Sequence, residues 1–409
     1  MNTAQKRDVW TIAIFRTVSA VGDEVAMFAF GIHYANTSHK WMLGLLGLAV
    51  LLPMILMSPI AGLIVDRYPI RRVLGCIGFA QALTALALTT SHHPALVLGL
   101  VGLLSCGVGV TQPGYGSLVA SIVPADEMGV VQGRMSSVNA VTWMLGPPIA
   151  GFLYSSVGLR GSLVVDALSF ALIGTLTFLL HHDRVPEANA ARSKGAVAEG
   201  IKVIFGDGVL RPAVIQTMLF IFIINMIGIV EVILITHDMG ASAHAYGFIM
   251  ACFGLGNFAG SMLAGRLPGG DINQVRRLLM GCFVIGVGEA IIGWLPTVTF
   301  VFLFMFLAGV GNGMANVSAS TLLMTRIPDE VRGRALAASN ATFNSASVLS
   351  MAVGSVVVTV MSARTIFQVS GLGATLVALI LGPVALRQAK KSNTQGDVLN
   401  LSQPSADGS

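Results

Sequence analysis

Charge is what this sequence has least of. Lys, Arg, Asp and Glu make up 11% of its 409 residues, against 54% that are hydrophobic, where an ordinary soluble domain carries roughly 25% charged residues. That shortage excludes a water-soluble globule of this length, because such a composition cannot cover the surface. Cysteine is scarce as well. Cys76, Cys106, Cys252 and Cys282 all lie inside apolar stretches at spacings that suit no metal, so they read as small packing residues. No phosphate-binding loop of the Gly-x-x-x-x-Gly-Lys-Ser/Thr type occurs, so ATP is not expected as the energy source. The basic residues form no stripe, so the net charge of +5 does not point to nucleic acid. A cleavable leader is not expected, since the apolar stretch after Lys6 and Arg7 runs too long for a signal core. No metal and no cofactor is expected.

What the sequence has in abundance is long apolar runs. They recur at about 9–35, 41–65, 73–90, 95–119, 136–157, 161–182, 212–236, 245–266, 276–295, 298–322, 336–360 and 366–387. Each is about the length that a helix needs to span a bilayer. None shows the two-residue alternation of a barrel strand, so helices are expected throughout. The loops carry an orientation signal. With the N-terminus inside, inner loops and tails hold 20 of the 24 Lys and Arg, outer loops hold Lys40, Arg160 and Arg364, and Arg16 lies within the first span. The positive-inside rule then puts both ends in the cytoplasm and makes the number of spans even; a plasma-membrane location is expected.

Residues 183–211 form the one long polar interruption, with an amphipathic stretch from Ala198 to Phe205 leading into the seventh span. The expected organisation is a six-helix bundle over 1–182, a cytoplasmic loop over 183–211, a second bundle over 212–387 and a disordered tail over 388–409. The halves repeat. Gly107-Val-Gly109, Ser121-Ile-Val-Pro124 and Gly133-Arg134 in the first correspond to Gly311-Asn-Gly313, Thr325-Arg-Ile-Pro328 and Gly333-Arg334 in the second. Such a repeat is expected of two parallel bundles related by an axis along the membrane normal.

After the second span the chain reads Gly62-Leu-Ile-Val-Asp66-Arg67-Tyr-Pro-Ile-Arg71-Arg72. This resembles the signature loop of the major facilitator superfamily. The resemblance implies an all-α membrane protein of twelve transmembrane helices in two six-helix pseudo-repeats, acting as a secondary transporter rather than an enzyme. It also implies that Asp66 sits against the positive end of another helix, with Arg67, Arg71 and Arg72 pairing with acids to latch the halves. The plainer reading is that the three arginines only fix topology. The second half has Gly265-Arg266 and Arg276-Arg277 at the matching place but lacks the aspartate, so a second, symmetric latch is not expected. In the fifth span Gly146-Pro147-Pro148-Ile-Ala-Gly151 resembles the Gly-Pro motif of the superfamily's proton-coupled antiporters, with Ala150 where a full match has glycine. The motif implies a bend that seals the pathway against proton leak, although a Gly-Pro pair is also a simple kink. No arginine precedes the Gly-x-Gly of the fourth span, where the place falls at about Leu103. The whole chain looks most like the branch holding macrolide efflux pumps, the enterobactin exporter and the lysophospholipid transporter. The cues are Arg16, Ser19 and Gly22-Asp23, then Asp166 with Phe170, then Pro328 with Arg332-Gly-Arg334.

A charge near the bilayer centre costs about 3 kcal/mol unless it is paired or solvated, so those inside the spans are the candidate pathway. Asp23 and Glu24 lie mid-way along the first span. Adjacent helical residues point about 100° apart, so only one of them can face a cavity fully. Asp23 is the preferred proton or cation carboxylate, with a structural partnership as its alternative. Arg16 either lines the inner vestibule or snorkels to the interface. Glu231, in the repeat partner of the first span, is a further candidate. Asn225 is a candidate pathway amide, though such amides also bind helices together. Asp166 and Glu289 read as structural. The expected function is export of a small amphipathic molecule of drug or siderophore class, by proton antiport with alternating access, from a monomer in the lipid bilayer. Uncoupled movement of a lysolipid or metabolite is the alternative.

Overall fold

A computed structural model describes residues 3–37, 41–91, 93–124, 127–180, 183 and 196–402. The element order is α1 (Thr3–Ala35), α2 (Met42–Arg67), α3 (Ile70–Thr90), α4 (Pro94–Ile122), α5 (Met128–Phe178), α6 (Ala196–Gly206), α7 (Leu210–Val232), α8 (Ala243–Arg266), α9 (Asp271–Trp294), α10 (Val301–Arg326), α11 (Asp329–Val360) and α12 (Ala363–Ser402). A π-helical turn, Ile233–Asp238, prolongs α7, and a 3₁₀ turn, Val298–Phe300, opens α10. Among the described residues no strand occurs. Except at their ends, helices satisfy their backbone groups within their own segment, which hydrocarbon requires.

α5 is two spans in one. Its 51 residues break at Gly158, whose backbone stands at φ 67 and ψ −170, a region that only glycine adopts freely. The break falls between the expected spans 136–157 and 161–182. Eight segments among the described residues are long and apolar enough to cross a membrane by length and composition. With α1, α2, α9 and the first arm of α5 they make the twelve spans that the sequence predicts, in two sets of six. α6 is the amphipathic stretch before α7 and is too short to span, at 11 residues. α12 remains helical to Ser402, past residue 388 where the polar tail was expected to begin.

Packing groups the helices in a way that the repeat alone does not dictate. One compact unit is Met1–Ala191 with Ile229–Ala251 and Met351–Val360, and the other is Arg192–Gly228 with Cys252–Ser350 and Met361–Ser409. Glycines explain how the late segments join the first unit. A Cβ at Gly44 would stand 2.6 Å from the Ser355 Cα, and one at Gly151 would stand 2.6 Å from the Ala243 carbonyl oxygen. In the second unit, α8 and α10 meet backbone to backbone along Gly256, Gly260, Gly309 and Gly313, where a Cβ would come within 2.0–2.1 Å of carbonyl oxygens on the facing helix. Small residues spaced by four are the usual device for such contacts between membrane helices.

The ends rich in Lys and Arg are tied by ion pairs and carbonyl caps. Asp207 caps α7 by accepting from the backbone N–H of Val209 and Leu210 at 2.8 and 2.7 Å. It also pairs with Arg326, which bonds Asp271 as well. Partial burial pushes the Asp207 carboxyl up, but the Arg326 guanidinium and the two amides outweigh it and hold the group below the usual carboxylate range. Arg334 of α11 pairs with Glu199 of α6. Arg277, buried, donates to the carbonyls of Ala264 and Pro268 at 2.9 Å. Arg71 occupies the corresponding place at the start of α3. Its guanidinium donates to the Leu180 carbonyl and its backbone N–H to Asp183 at 3.1 Å. These partners lie in the same half as Arg71. Arg67 and Arg72 are exposed, while Gly62 and Asp66 fall outside the residues whose side chains are described.

Candidate functional site

The charged residues of α1 do not all serve one place. Arg16 is half-buried and lies over the ring of Tyr115 in α4, 5.7 Å from its centroid. The Tyr115 hydroxyl is bonded in turn to Thr177 Oγ1 of α5 at 2.8 Å. A guanidinium over an aromatic face gains about 1 kcal/mol or more when desolvated. Arg16 is therefore tied to α4 by a ring that its sequence position did not announce.

Glu24 faces the Gly-Pro segment of α5. A Cβ on Gly146 would stand 3.5 Å from Glu24 Cγ, so the glycine leaves room for the acid. At the next residue of α5, the Pro147 carbonyl lies 2.7 Å from where a Cβ of Gly247 would be, and about one turn on Gly151 abuts Ala243. The segment thus seats the start of α8. Tyr246, which that contact positions, stacks on Phe28 of α1 with centroids 5.0 Å apart and ring planes 26° apart. Its hydroxyl lies within electrostatic range of both Glu24 and Glu231. Tyr246 is 9% exposed, and Glu231 Oε1 is buried with no hydrogen-bond partner among the described residues. The π-helical turn begins two residues after Glu231, and such turns recur at functional sites.

α1, α5, α7 and α8 therefore bring Glu24, Glu231 and Tyr246 together, with Phe28 and Gly146 completing the surround. Asp23, next to Glu24 but rotated about 100° from it, turns toward the second arm of α5. It lies within electrostatic range of Asp166 there and of Glu24 on its own helix. Both Asp23 and Glu24 are half-buried. Asn225 stands apart from this group, donating to Ser347 Oγ of α11 at 2.8 Å. Asn312 donates to Asn257 Oδ1 in a similar tie between α10 and α8 at 3.2 Å.

Tyr246 and Tyr115 belong to no motif, and nothing in the sequence singles them out. Asp166 is visible in the sequence, but its proximity to Asp23 across 143 positions is not. The arrangement can take up and release protons within an apolar surround. Among the described residues no group of three or more His, Cys, Asp or Glu could hold a metal ion.

Comparison with known proteins bears on what this site serves. The family model of the Major Facilitator Superfamily matches residues 12–234 and again 213–402. The MFS-type transporter YfiS of Bacillus subtilis (strain 168) is 22% identical, with 92% of each chain covered. The lysophospholipid transporter LplT of Serratia proteamaculans (strain 568) is 23% identical over 87% of this chain and 89% of its own. Macrolide efflux protein A of Streptococcus pyogenes is 22% identical over 80% and 84%. Among solved structures, the nucleoside transporter NupG superposes with a TM-score of 0.72 at 13% identity, covering 94% of this chain and 99% of its own. A bacterial homologue of the iron transporter ferroportin, in an inward-facing state, gives 0.71 at 16% identity over 95% and 100%. With twelve spans in two sets of six and a family match over both halves, the chain is a multi-pass membrane transporter of the Major Facilitator Superfamily.

Proposed function

We propose that the protein exports a small amphipathic molecule by proton antiport with alternating access. The observation that carries this reading is that Glu24 and Glu231 both lie within electrostatic range of the buried Tyr246, on helices that are otherwise apolar. A carboxylate in such a place costs about 3 kcal/mol as a bare charge, and that cost falls away each time the group takes a proton. Asp23 or Glu231 is the carboxyl that takes up a proton from outside, with Glu24 beside the pathway. Substrate binding then favours release of the proton inward. The activities for which two relatives are named, lysophospholipid transport and macrolide efflux, support an amphipathic substrate of drug-like or lipid-like shape.

The Gly146, Pro147 and Gly151 segment serves as the outer seal, because it both accommodates Glu24 and seats α8. The loop of Gly62, Asp66, Arg67, Arg71 and Arg72 serves as the latch that the family resemblance implies, with Arg71 fixing the loop to the end of α5. Asn225 steadies α7 against α11 beside the pathway. The count of basic residues supports both ends lying inside, and a plasma membrane location is part of the same proposal.

In everted vesicles at neutral pH, erythromycin and lysophosphatidylethanolamine are suitable probes. Addition of a transported probe is expected to release protons from the vesicle lumen, and collapsing the proton gradient is expected to stop its accumulation. Accumulation that continues unchanged after collapse would overturn antiport in favour of uncoupled movement of a lysolipid or metabolite.

A further inference from the structure

Asp166 is the most deeply buried acid beside the first helix, at 1% exposure, and its Oδ1 has no hydrogen-bond partner among the described residues. That oxygen is aimed at α1. It stands 2.9 Å from the position that a Cβ on Gly22 would take, and Ser169 Oγ stands 2.5 Å from the same point. Only a residue without a side chain permits this approach, and the next residue along α1 is Asp23. Asp166 lies within electrostatic range of Asp23, and Asp23 within that of Glu24 on its own helix. Arg16, on the same helix, is engaged with Tyr115 two turns away. No cation acts on either acid among the described residues; two such carboxylates repel, and a proton is the smallest cation that removes the repulsion.

We propose that Asp23 and Asp166 hold one proton jointly, as a carboxyl–carboxylate pair across the contact between α1 and the second arm of α5, with Gly22 and Ser169 forming the floor of the site. This deepens the antiport reading and rests on it for its use in transport. It assigns Asp166, 143 residues from Asp23, to the coupling machinery. One O–H bond forms on either carboxyl when the proton arrives from outside, the other carboxylate accepts it as a hydrogen bond, and the same proton leaves inward. No other group changes its bonding. Such a pair titrates as a unit, so neither acid has a midpoint of its own.

The test needs no substrate. Infrared difference spectroscopy of the purified full-length protein in lipid follows the protonated-carboxyl band against pH. The wild type is expected to show a pair that takes up its two protons in two separate steps. Asp166→Asn is expected to lower the midpoint of that band by at least one pH unit, and Asp23→Asn is expected to do the same to the acid that remains, because each removes the neighbouring charge. Asp166→Glu is expected to keep the wild-type midpoint within about half a unit, which a merely structural role for Asp166 would not require. An unchanged midpoint in either asparagine variant, with the thermal unfolding temperature preserved, would overturn the pair. If the midpoints shift as stated but vesicles show no substrate-induced proton release, the pair stands and the antiport reading falls.

Discussion

Gly260→Leu is expected to leave no folded protein in the membrane fraction, whereas Gly265→Leu, one turn and a residue further along α8, is expected to be tolerated. A Cβ on Gly260 would lie 2.0 Å from the Val310 carbonyl oxygen and 2.7 Å from its carbon, while a Cβ on Gly265 meets nothing within 4 Å. The obstacle at 260 is backbone, so no rotamer change relieves it and α8 must separate from α10. Extra methylenes in a well-packed core cost about 1–3 kcal/mol even when side chains can adjust. Here a helix pair held at Gly256, Gly260, Gly309 and Gly313 must part along its length. The summed loss is a large share of the 5–15 kcal/mol that typically keeps a protein folded. Size-exclusion profiles of detergent extracts distinguish the two variants, and a monodisperse Gly260→Leu peak would contradict the contact.

The second large effect is on transport. Asp23→Asn keeps the shape of the side chain and removes its ability to exchange a proton. One proton moving through about 100 mV supplies about 2.3 kcal/mol, which corresponds to an accumulation of about 50-fold, given a tenfold change for every 1.4 kcal/mol. Loss of coupling is therefore expected to lower steady-state accumulation of a transported probe in everted vesicles by about 50-fold at that potential. Exchange of probe down its own gradient is expected to persist. Accumulation within twofold of the wild type would show that Asp23 does not couple the proton.

The same residues show how much of this molecule could be read from its sequence. The twelve spans were legible because hydrocarbon leaves so few ways to cross it, and Gly107-Val-Gly109 against Gly311-Asn-Gly313 was enough to reveal the repeat. Gly311 also served there as a mere marker, although the four-residue spacings of Gly256 with Gly260 and Gly309 with Gly313 foretell close helix approach. Which two helices approach is not written locally, since α8 and α10 are joined by contact rather than by chain. The acids of α1 announced themselves by their cost in an apolar stretch. Their partners did not. Glu24 meets Gly146 and Tyr246, and Asp23 comes near Asp166, through packing that no periodicity records. Arg16 shows this most plainly, because both placements open to it in the sequence concern water and lipid. The ring that engages it, Tyr115, lies on another helix.

Proton-coupled transport requires that the acids of α1 and α7 open onto water at some stage of the cycle. Cysteine labelling tests that directly. In a background with Cys76, Cys106, Cys252 and Cys282 replaced by alanine, Asp23→Cys, Glu231→Cys and the exposed apolar position Leu168→Cys are each treated with a membrane-impermeant maleimide. The account predicts that positions 23 and 231 react from at least one side of the membrane, and that 168 reacts only with a lipid-soluble reagent. Positions 23 and 231 reacting solely with the lipid-soluble reagent would contradict it.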